Sequence, residues 1–237
     1  MTSSELEGEY QLRDGTRVRI RPLRPEDART LQDGFRQLGP ESRRRRFGAP
    51  KARLSDGEVR FLTTCDGRRR LALGAVRLDA QGWECEGLGL ARYACLPHRP
   101  DVAEPSVTVL DSAQGLGLGR LLSEHLVRAA AAHGVKTFRA LLADEHGWLR
   151  DRILRSYPDA QLTRKGQRLG ADFPLPAIAP RAADAPDEAP SHGFWSLLRW
   201  VSEGSVRPEP PPAAHRFRHA VRERLGRARH RGRWLSS

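Results

Sequence analysis

The stretch from Glu104 to Gly134, EPSVTVLDSAQGLGLGRLLSEHLVRAAAAHG, constrains the fold more than any other part of this sequence. Its first residues, through Val109, are rich in β-branched side chains and predict a strand. A glycine-rich turn follows, and then the apolar spacing predicts a helix that Gly134 ends, with its buried stripe at Leu122, Leu126, Ala129 and Ala130. Strand, turn and helix N-terminus together predict an anion site, because glycines expose backbone N–H groups and the helix dipole adds about half a positive charge.

Two common phosphate-binding loops do not fit this turn. A P-loop requires Lys followed by Ser or Thr after its last glycine, where this chain has Arg120 followed by leucine. A dinucleotide-binding loop requires glycine at its sixth place, where Arg120 stands again. The pattern that fits is Gln/Arg-x-x-Gly-x-Gly/Ala, with Gln114, Gly117 and Gly119 at the matching positions. A tight strand-to-helix turn, in which the glycines only pack closely, stays open as the alternative.

This motif resembles the acetyl-CoA diphosphate loop of the GNAT family of N-acetyltransferases. Glu104 opens the strand ten residues before Gln114, and so resembles the general base of the bacterial Pat-like protein lysine acetyltransferases in that family. The phrases IRPLRPEDA and ESRRRRF also resemble GNAT sequences. The resemblance covers about residues 12 to 175 and implies the GNAT fold, an α/β architecture of the α+β type. In that fold a mixed, mostly antiparallel central sheet is flanked by helices.

The resemblance also implies a cofactor and a set of site residues. The cofactor is acetyl-CoA, and an amine on a small molecule or a protein lysine attacks its thioester directly. The strand backbone at Val107, Thr108 and Val109 is expected to pair with the pantetheine arm. The loop amides are expected to hold the diphosphate, at Gln114, Gly115, Leu116, Gly117, Leu118, Gly119 and Arg120. Glu104 is the candidate base, with a solvent-facing strand-end glutamate as the alternative.

Three positions near the end of this domain depart from the family pattern. Glu145 stands where many relatives carry asparagine, and Ser156 and Tyr157 replace a Gly-Phe pair. An acidic Glu145 either unsettles cofactor binding or attracts a cationic acceptor. Tyr157 is a candidate proton donor to the leaving thiolate, with a packing role as the alternative. Two other functions therefore stay open: a catalytically weakened acyl-CoA-binding regulatory module, and an adaptor that works through the basic tail.

Composition restricts the class of protein further. No apolar run approaches the roughly 18 residues that a membrane-spanning helix needs. The N-terminus, from Met1 to Glu9, is polar and acidic, unlike a signal peptide. The cysteines are odd in number and lack the paired spacing of metal ligands: Cys65, Cys85 and Cys95. We therefore expect a reduced, cytoplasmic protein without a metal, and its oligomeric state stays open.

Four parts are expected along the chain. Residues 1–12 are expected to be disordered, 13–175 to form the GNAT domain, 176–213 to form a Pro/Ala-rich linker, and 214–237 to form an arginine-rich tail. Apolar spacing at 193–203 predicts a short amphipathic helix inside the linker. The net charge is +12, and the partly disordered tail carries eight arginines against Glu223 alone. Nucleic acid or an anionic lipid surface suits that charge, and so does a solvated tail.

Alternation and apolar spacing predict the remaining elements of the domain. Strands are expected at 15–21, 70–78, 87–95 and 135–142, helices at 28–38, 55–62 and 148–157, and a final hairpin at 160–173. Residues 98–101 are expected to form a loop before the Glu104 strand. The glycines of GLGLARY, at 87–93, are interpreted as small strand residues packed against a neighbour, not as a second phosphate loop.

Overall fold

The computed structural model describes residues 6–40, 42–43, 52–143, 154, 158–165 and 168–175. Within them, the helices are α1 Ala28–Gln37, α2 Asp56–Thr63 and α3 Leu118–Ala132, with 3-10 turns at Pro25–Asp27 and Asp111–Ala113. The strands are β1 Gly8–Gln11, β2 Arg17–Pro22, β3 Arg70–Leu78, β4 Glu84–Leu96, β5 Arg99–Val109, β6 Thr137–Ala143, β7 Gln161–Lys165 and β8 Arg168–Pro174. No helix of the described part is long and apolar enough to cross a bilayer.

All eight strands lie in one sheet, in the order β1-β2-β3-β4-β5-β6-β8-β7. Neighbouring strands are antiparallel throughout, except that β5 and β6 are parallel. A parallel pair needs a long crossover, and α3 supplies it. The predicted mixed, mostly antiparallel sheet flanked by helices is therefore confirmed.

The helices cover opposite faces of the sheet. Side chains alternate between the two faces of a sheet along each strand, so two consecutive residues of β4 show what packs on each face. A Cβ atom on Gly89 would lie 2.8 Å from Cδ1 of Leu122 on α3, and 3.2 Å from the carbonyl oxygen of Thr108. Leu90 instead lines a cavity together with Leu31 and other residues of α1. The close packing predicted for the glycines of β4 is confirmed, and it lets α3 approach the sheet.

The N-terminal segment differs from its prediction. We expected disorder through residue 12, whereas Gly8–Gln11 form β1, which pairs antiparallel with β2. The physical reason is a long-range contact, because the Tyr10 hydroxyl and Nε2 of His125 on α3 lie 2.7 Å apart. Leu6 and Leu12 are also buried in the core. These contacts join residues far apart in the chain, so local polarity did not reveal them.

Other boundaries follow the predictions with one further correction. β3 is found at the predicted residues, and the final hairpin is found as β7 and β8. The loop expected at 98–101 is wrong, because β5 already begins at Arg99 and extends the hairpin with β4. The helix expected at 148–157, apart from residue 154, lies outside the described residues, as do the linker and the arginine-rich tail.

A buried ion pair connects β2 to the start of α1. Arg21, which is 7% exposed, donates to both carboxylate oxygens of Asp27 at 2.7 and 2.8 Å, and also contacts Glu84. Burial raises the pKa of Asp27, but hydrogen bonds from Arg21 and from the Arg24 N–H outweigh it, so the pKa lies below its ordinary value. The ionised pair therefore contributes to the stability of this corner.

Asp27→Asn is expected to lower the free energy of unfolding by about 3 kcal/mol, because it leaves Arg21 short of a charged partner in a buried place. The lowered pKa means that this contribution is present above the unfolded-state pKa of about 3.9 and is lost as pH falls below it. Urea unfolding of both proteins at neutral and acid pH measures this. The control is Asp33→Asn, at an exposed pair with Arg36, where we expect a change of about 0.5 kcal/mol or less. If the difference in free energy of unfolding between Asp27→Asn and wild type is the same at neutral and acid pH, the assignment is contradicted.

Candidate active site

The sheet opens between β5 and β6, the two parallel strands. Their pairing consists of Val102 with Thr137 and Ala103 with Phe138. Beyond that point β5 stays paired with β4 through Val109, while along the described residues no further pairing joins it to β6. The opening therefore begins at the position of Glu104 and continues along β5 toward the glycine-rich turn.

The ladder between β4 and β5 determines which backbone groups face this opening. The Leu110 N–H donates to the Leu88 carbonyl at 2.9 Å, and the register is regular from Ala103 to Val109. Leu110, Thr108 and every second residue before them therefore direct their backbone N–H and carbonyl groups to β4. Val107 and Val109 direct theirs into the opening, where the Val109 carbonyl also accepts from the Gln114 side chain. Of the three residues predicted to contact a pantetheine arm, Val107 and Val109 therefore present backbone groups on the open side, and Thr108 does not.

Pro105 lies on the same open side of β5. It stands at an alternate position with Val107, where a strand inside a complete sheet would donate its N–H to the next strand. Proline has no such donor and is found in sheets where the ladder is interrupted. Pro105, one residue after Glu104, is therefore a sequence feature that favours the separation of β5 from β6.

The glycine-rich turn presents backbone donors at the end of β5. Gly115 and Gly117 have φ angles of +77° and +93°, a left-handed conformation that side chains disfavour. Gly117 is the N-cap of α3, and the first intrahelical bond runs from the Leu121 N–H to its carbonyl at 3.1 Å. The four N–H groups from Gly117 to Arg120 therefore have no acceptor within the helix. This arrangement suits an anion, as the sequence predicts.

Gln114 supports the turn with its side chain. Its amide nitrogen Nε2 donates to Oδ1 of Asp111 at 2.9 Å and to the Val109 carbonyl at 3.3 Å. Asp111 in turn accepts the Gly39 N–H at 2.8 Å and the Ser42 hydroxyl, which fixes the segment after α1. The first residue of the motif is thus explained by the hydrogen bonds that hold the loop in shape.

Arg13 lies beside the candidate site, and sequence reasoning missed it. It lies in the turn between β1 and β2, and its N–H donates to the Leu116 carbonyl at 3.3 Å. Its Nε atom lies 4.0 Å from where a Cβ on Gly117 would stand. Among the described residues no carboxylate pairs with its guanidinium. The hairpin thus brings a cation to the glycine-rich turn, and no local motif in the sequence indicates it.

Glu104 lies at the mouth of the opening on the face covered by α1 and α2. It is half-buried and stands opposite Ala94 in the ladder. Arg92 lies on β4, two residues before Ala94. Burial lowers the pKa of Arg92, and the charge of Glu104 opposes that effect. Hydrogen bonds to Asp172 raise the pKa of Arg139, and Glu104 adds to this rise. Two guanidinium groups therefore lie within electrostatic reach of this carboxylate.

The structure brings most of the predicted site together and leaves part of it outside. Glu104, the backbone of Val107 and Val109, and the turn from Gly115 to Arg120 follow one another along a single edge. Tyr157, the candidate proton donor, and Glu145, the departure from the family pattern, lie outside the described residues.

Comparisons with known proteins give the following similarities. The chain matches no protein-family model. It is 30% identical over 149 residues to a curated acetyltransferase of Pseudomonas aeruginosa, covering 62% of this chain and 78% of that protein. Its fold is similar to the crystal structure of the GNAT domain of PAT from S. lividans, with a TM-score of 0.58 and 27% identity. That similarity covers 74% of this chain and 100% of the domain.

Proposed function

Because the chain belongs to the GNAT family of N-acetyltransferases, we propose that it moves an acetyl group from acetyl-CoA to an amine by direct attack. One observation carries this proposal. The open backbone edge at Val107 and Val109 leads directly into the N–H groups that begin α3. An arm with amide groups followed by a diphosphate is complementary to that edge in both chemistry and order.

The residues around the opening supply the steps of the reaction. Bound acetyl-CoA supplies an activated thioester. A lysine-like amine has a pKa of about 10.4, so making it neutral at pH 7 costs about 4.6 kcal/mol. Glu104 attracts the ammonium form and accepts its proton, directly or through a water molecule. A backbone N–H of β5 in the opening, on Val107 or Val109, donates to the thioester carbonyl and favours attack there.

The leaving thiolate needs a proton donor. As the new C–N bond forms, the attacking nitrogen loses its second proton to solvent. As the C–S bond breaks, the sulfur leaves as a thiolate that takes up a proton. Tyr157 is our candidate donor for that proton. The acceptor is an amine on a small molecule or on a protein lysine.

A thiol-release assay tests the proposed function. The full chain is incubated with acetyl-CoA and a panel of small amines and lysine-containing proteins, and free coenzyme A thiol is measured. We expect release that depends on the amine. Cofactor binding without release, across the whole panel, favours a non-catalytic acyl-CoA-binding module. Absence of both acetyl-CoA binding and thiol release indicates that the glycines of the turn only allow close packing.

Arg13→Gln is expected to weaken acetyl-CoA affinity about tenfold, since charge-assisted hydrogen bonds to phosphate contribute about 1.5–3 kcal/mol. The turnover number should stay unchanged, because Arg13 lies at the loop and not at Glu104. The measurement is the dissociation constant at low and high salt, and the effect should shrink at high salt. Arg17→Gln is the control, since this arginine of the same hairpin already pairs with Glu9 at 3.2 Å. Equal effects of the two substitutions count against a phosphate contact.

A further inference from the structure

Arg92 is a half-buried cation that the reaction as described does not use. It lies on β4, opposite Ser106 of β5, and its guanidinium is 5.3 Å from the ring centroid of Phe61 on α2. Its Nε atom is shielded from solvent and has no hydrogen-bond acceptor. Among the described residues no carboxylate lies within ion-pair distance of Arg92. A donor shielded from water without an acceptor is costly, so a structural role alone explains the Nε atom of Arg92 poorly.

Its position in the sheet relates Arg92 to the candidate base. The register places Ala94 opposite Glu104 and Arg92 opposite Ser106, so all four residues share the face covered by α1 and α2. Glu104 and Arg92 are therefore diagonal neighbours, which in a regular antiparallel pair lie about 7–8 Å apart, with their Cβ atoms somewhat closer. This face therefore presents one negative and one positive group on neighbouring strands.

Arg70 provides an internal comparison. Its guanidinium lies over the same Phe61 ring, at 5.6 Å from the centroid. Unlike Arg92, it has an acidic neighbour, because its Nε is 3.7 Å from Oδ2 of Asp66. The two stacked arginines thus differ in the distance of their anions: Asp66 lies within ion-pair distance of Arg70, whereas Glu104 acts on Arg92 from beyond that distance. An anion in direct contact with Arg92 would then come from a ligand.

We propose that Arg92 binds a carboxylate carried by the acceptor, so that the preferred acceptor is a small molecule with both an amine and a carboxylate. The inference rests on the proposed function, because it places the amine of that acceptor at Glu104. The guanidinium offers the donors that a carboxylate accepts, and the surrounding burial strengthens the interaction. No covalent step involves Arg92, which selects and orients the acceptor.

The test compares acceptors that differ only in the acidic group. Amino carboxylates from glycine to 5-aminopentanoate are each compared with their carboxamides in the thiol-release assay, with rates expressed per neutral amine. For the preferred chain length, we expect kcat/KM to be about tenfold to a hundredfold higher for the carboxylate. This comparison uses the unchanged protein, so it does not depend on any variant folding.

Two matched variants assign that preference to Arg92. Arg92→Gln should remove it by raising KM for the carboxylate, while acetyl-CoA affinity stays unchanged. Any effect of this substitution that acts through Glu104 is common to both acceptors, so it does not change the ratio of their kcat/KM values. Arg70→Gln, which also removes a stacked guanidinium from Phe61, should keep the preference. A purely structural arginine would lower both activities equally.

The outcomes separate this inference from the proposed function. Thiol release that proceeds equally with carboxylates and carboxamides overturns the role of Arg92 and leaves the transferase intact. A preference seen only in lysine peptides with acidic neighbours also overturns the small-molecule assignment. Absence of release with every amine removes the transferase proposal and this inference with it.

Discussion

Gly117→Val is expected to weaken acetyl-CoA binding at least about a hundredfold, a loss of about 2.7 kcal/mol. Gly117 adopts a φ of +93° at the N-cap of α3, and a β-branched residue there is strained. Any side chain also projects beside Arg13, where the proposed diphosphate would lie. Isothermal titration calorimetry with acetyl-CoA measures the change.

A matched glycine separates strain from the site itself. Gly82 has a φ of +86° in the turn between β3 and β4, and a Cβ there meets nothing within 4 Å. Gly82→Val therefore introduces comparable backbone strain far from the loop. We expect it to lower thermal stability and leave the dissociation constant unchanged. If Gly117→Val binds acetyl-CoA within about threefold of wild type, less than about 0.7 kcal/mol, the diphosphate does not lie at this turn.

Glu104→Gln is expected to slow acetyl transfer by about a hundredfold to ten-thousandfold, the usual range for losing a general base. Glutamine keeps the size of the side chain and loses only its ability to accept the amine proton. The effect should therefore appear in kcat, with acetyl-CoA affinity unchanged. Raising the pH should recover part of the lost rate, because more of the amine is then already neutral.

The control for this substitution is a carboxylate elsewhere on the same sheet. Glu86 on β4 pairs with Arg77 at 2.7 Å, at the end of the strand far from Glu104. Glu86→Gln should leave kcat within about twofold, since exposed ion pairs contribute little. An unchanged rate in Glu104→Gln would remove this residue from the mechanism.

The local part of the site was predictable because its information is contiguous. The β-branched residues before Leu110, the glycines at 115, 117 and 119, and the apolar stripe after them lie within thirty-one residues, from 104 to 134. Each predicts its own element through short-range physics, namely strand propensity, backbone freedom and helical spacing. The structure has the strand, the turn and α3 in that order.

The long-range part of the site was not predictable in this way. Arg13 meets Leu116 only because β1 and β2 form a hairpin, and β1 is held by a contact between Tyr10 and α3. The backbone direction of Thr108 depends on the register with β4, which no local pattern fixes. The same register places Arg92 on the face of Glu104. These relationships follow from tertiary pairing, so the sequence alone did not reveal them.

A crystal structure of the chain with bound coenzyme A tests the central claim most directly. We expect diphosphate oxygens about 2.7–3.2 Å from the N–H groups of Gly117 to Arg120. The pantetheine amides should hydrogen-bond with the backbone of Val107 and Val109 in the opening between β5 and β6. A diphosphate bound at another surface, with this opening and turn free of the cofactor, would contradict the account.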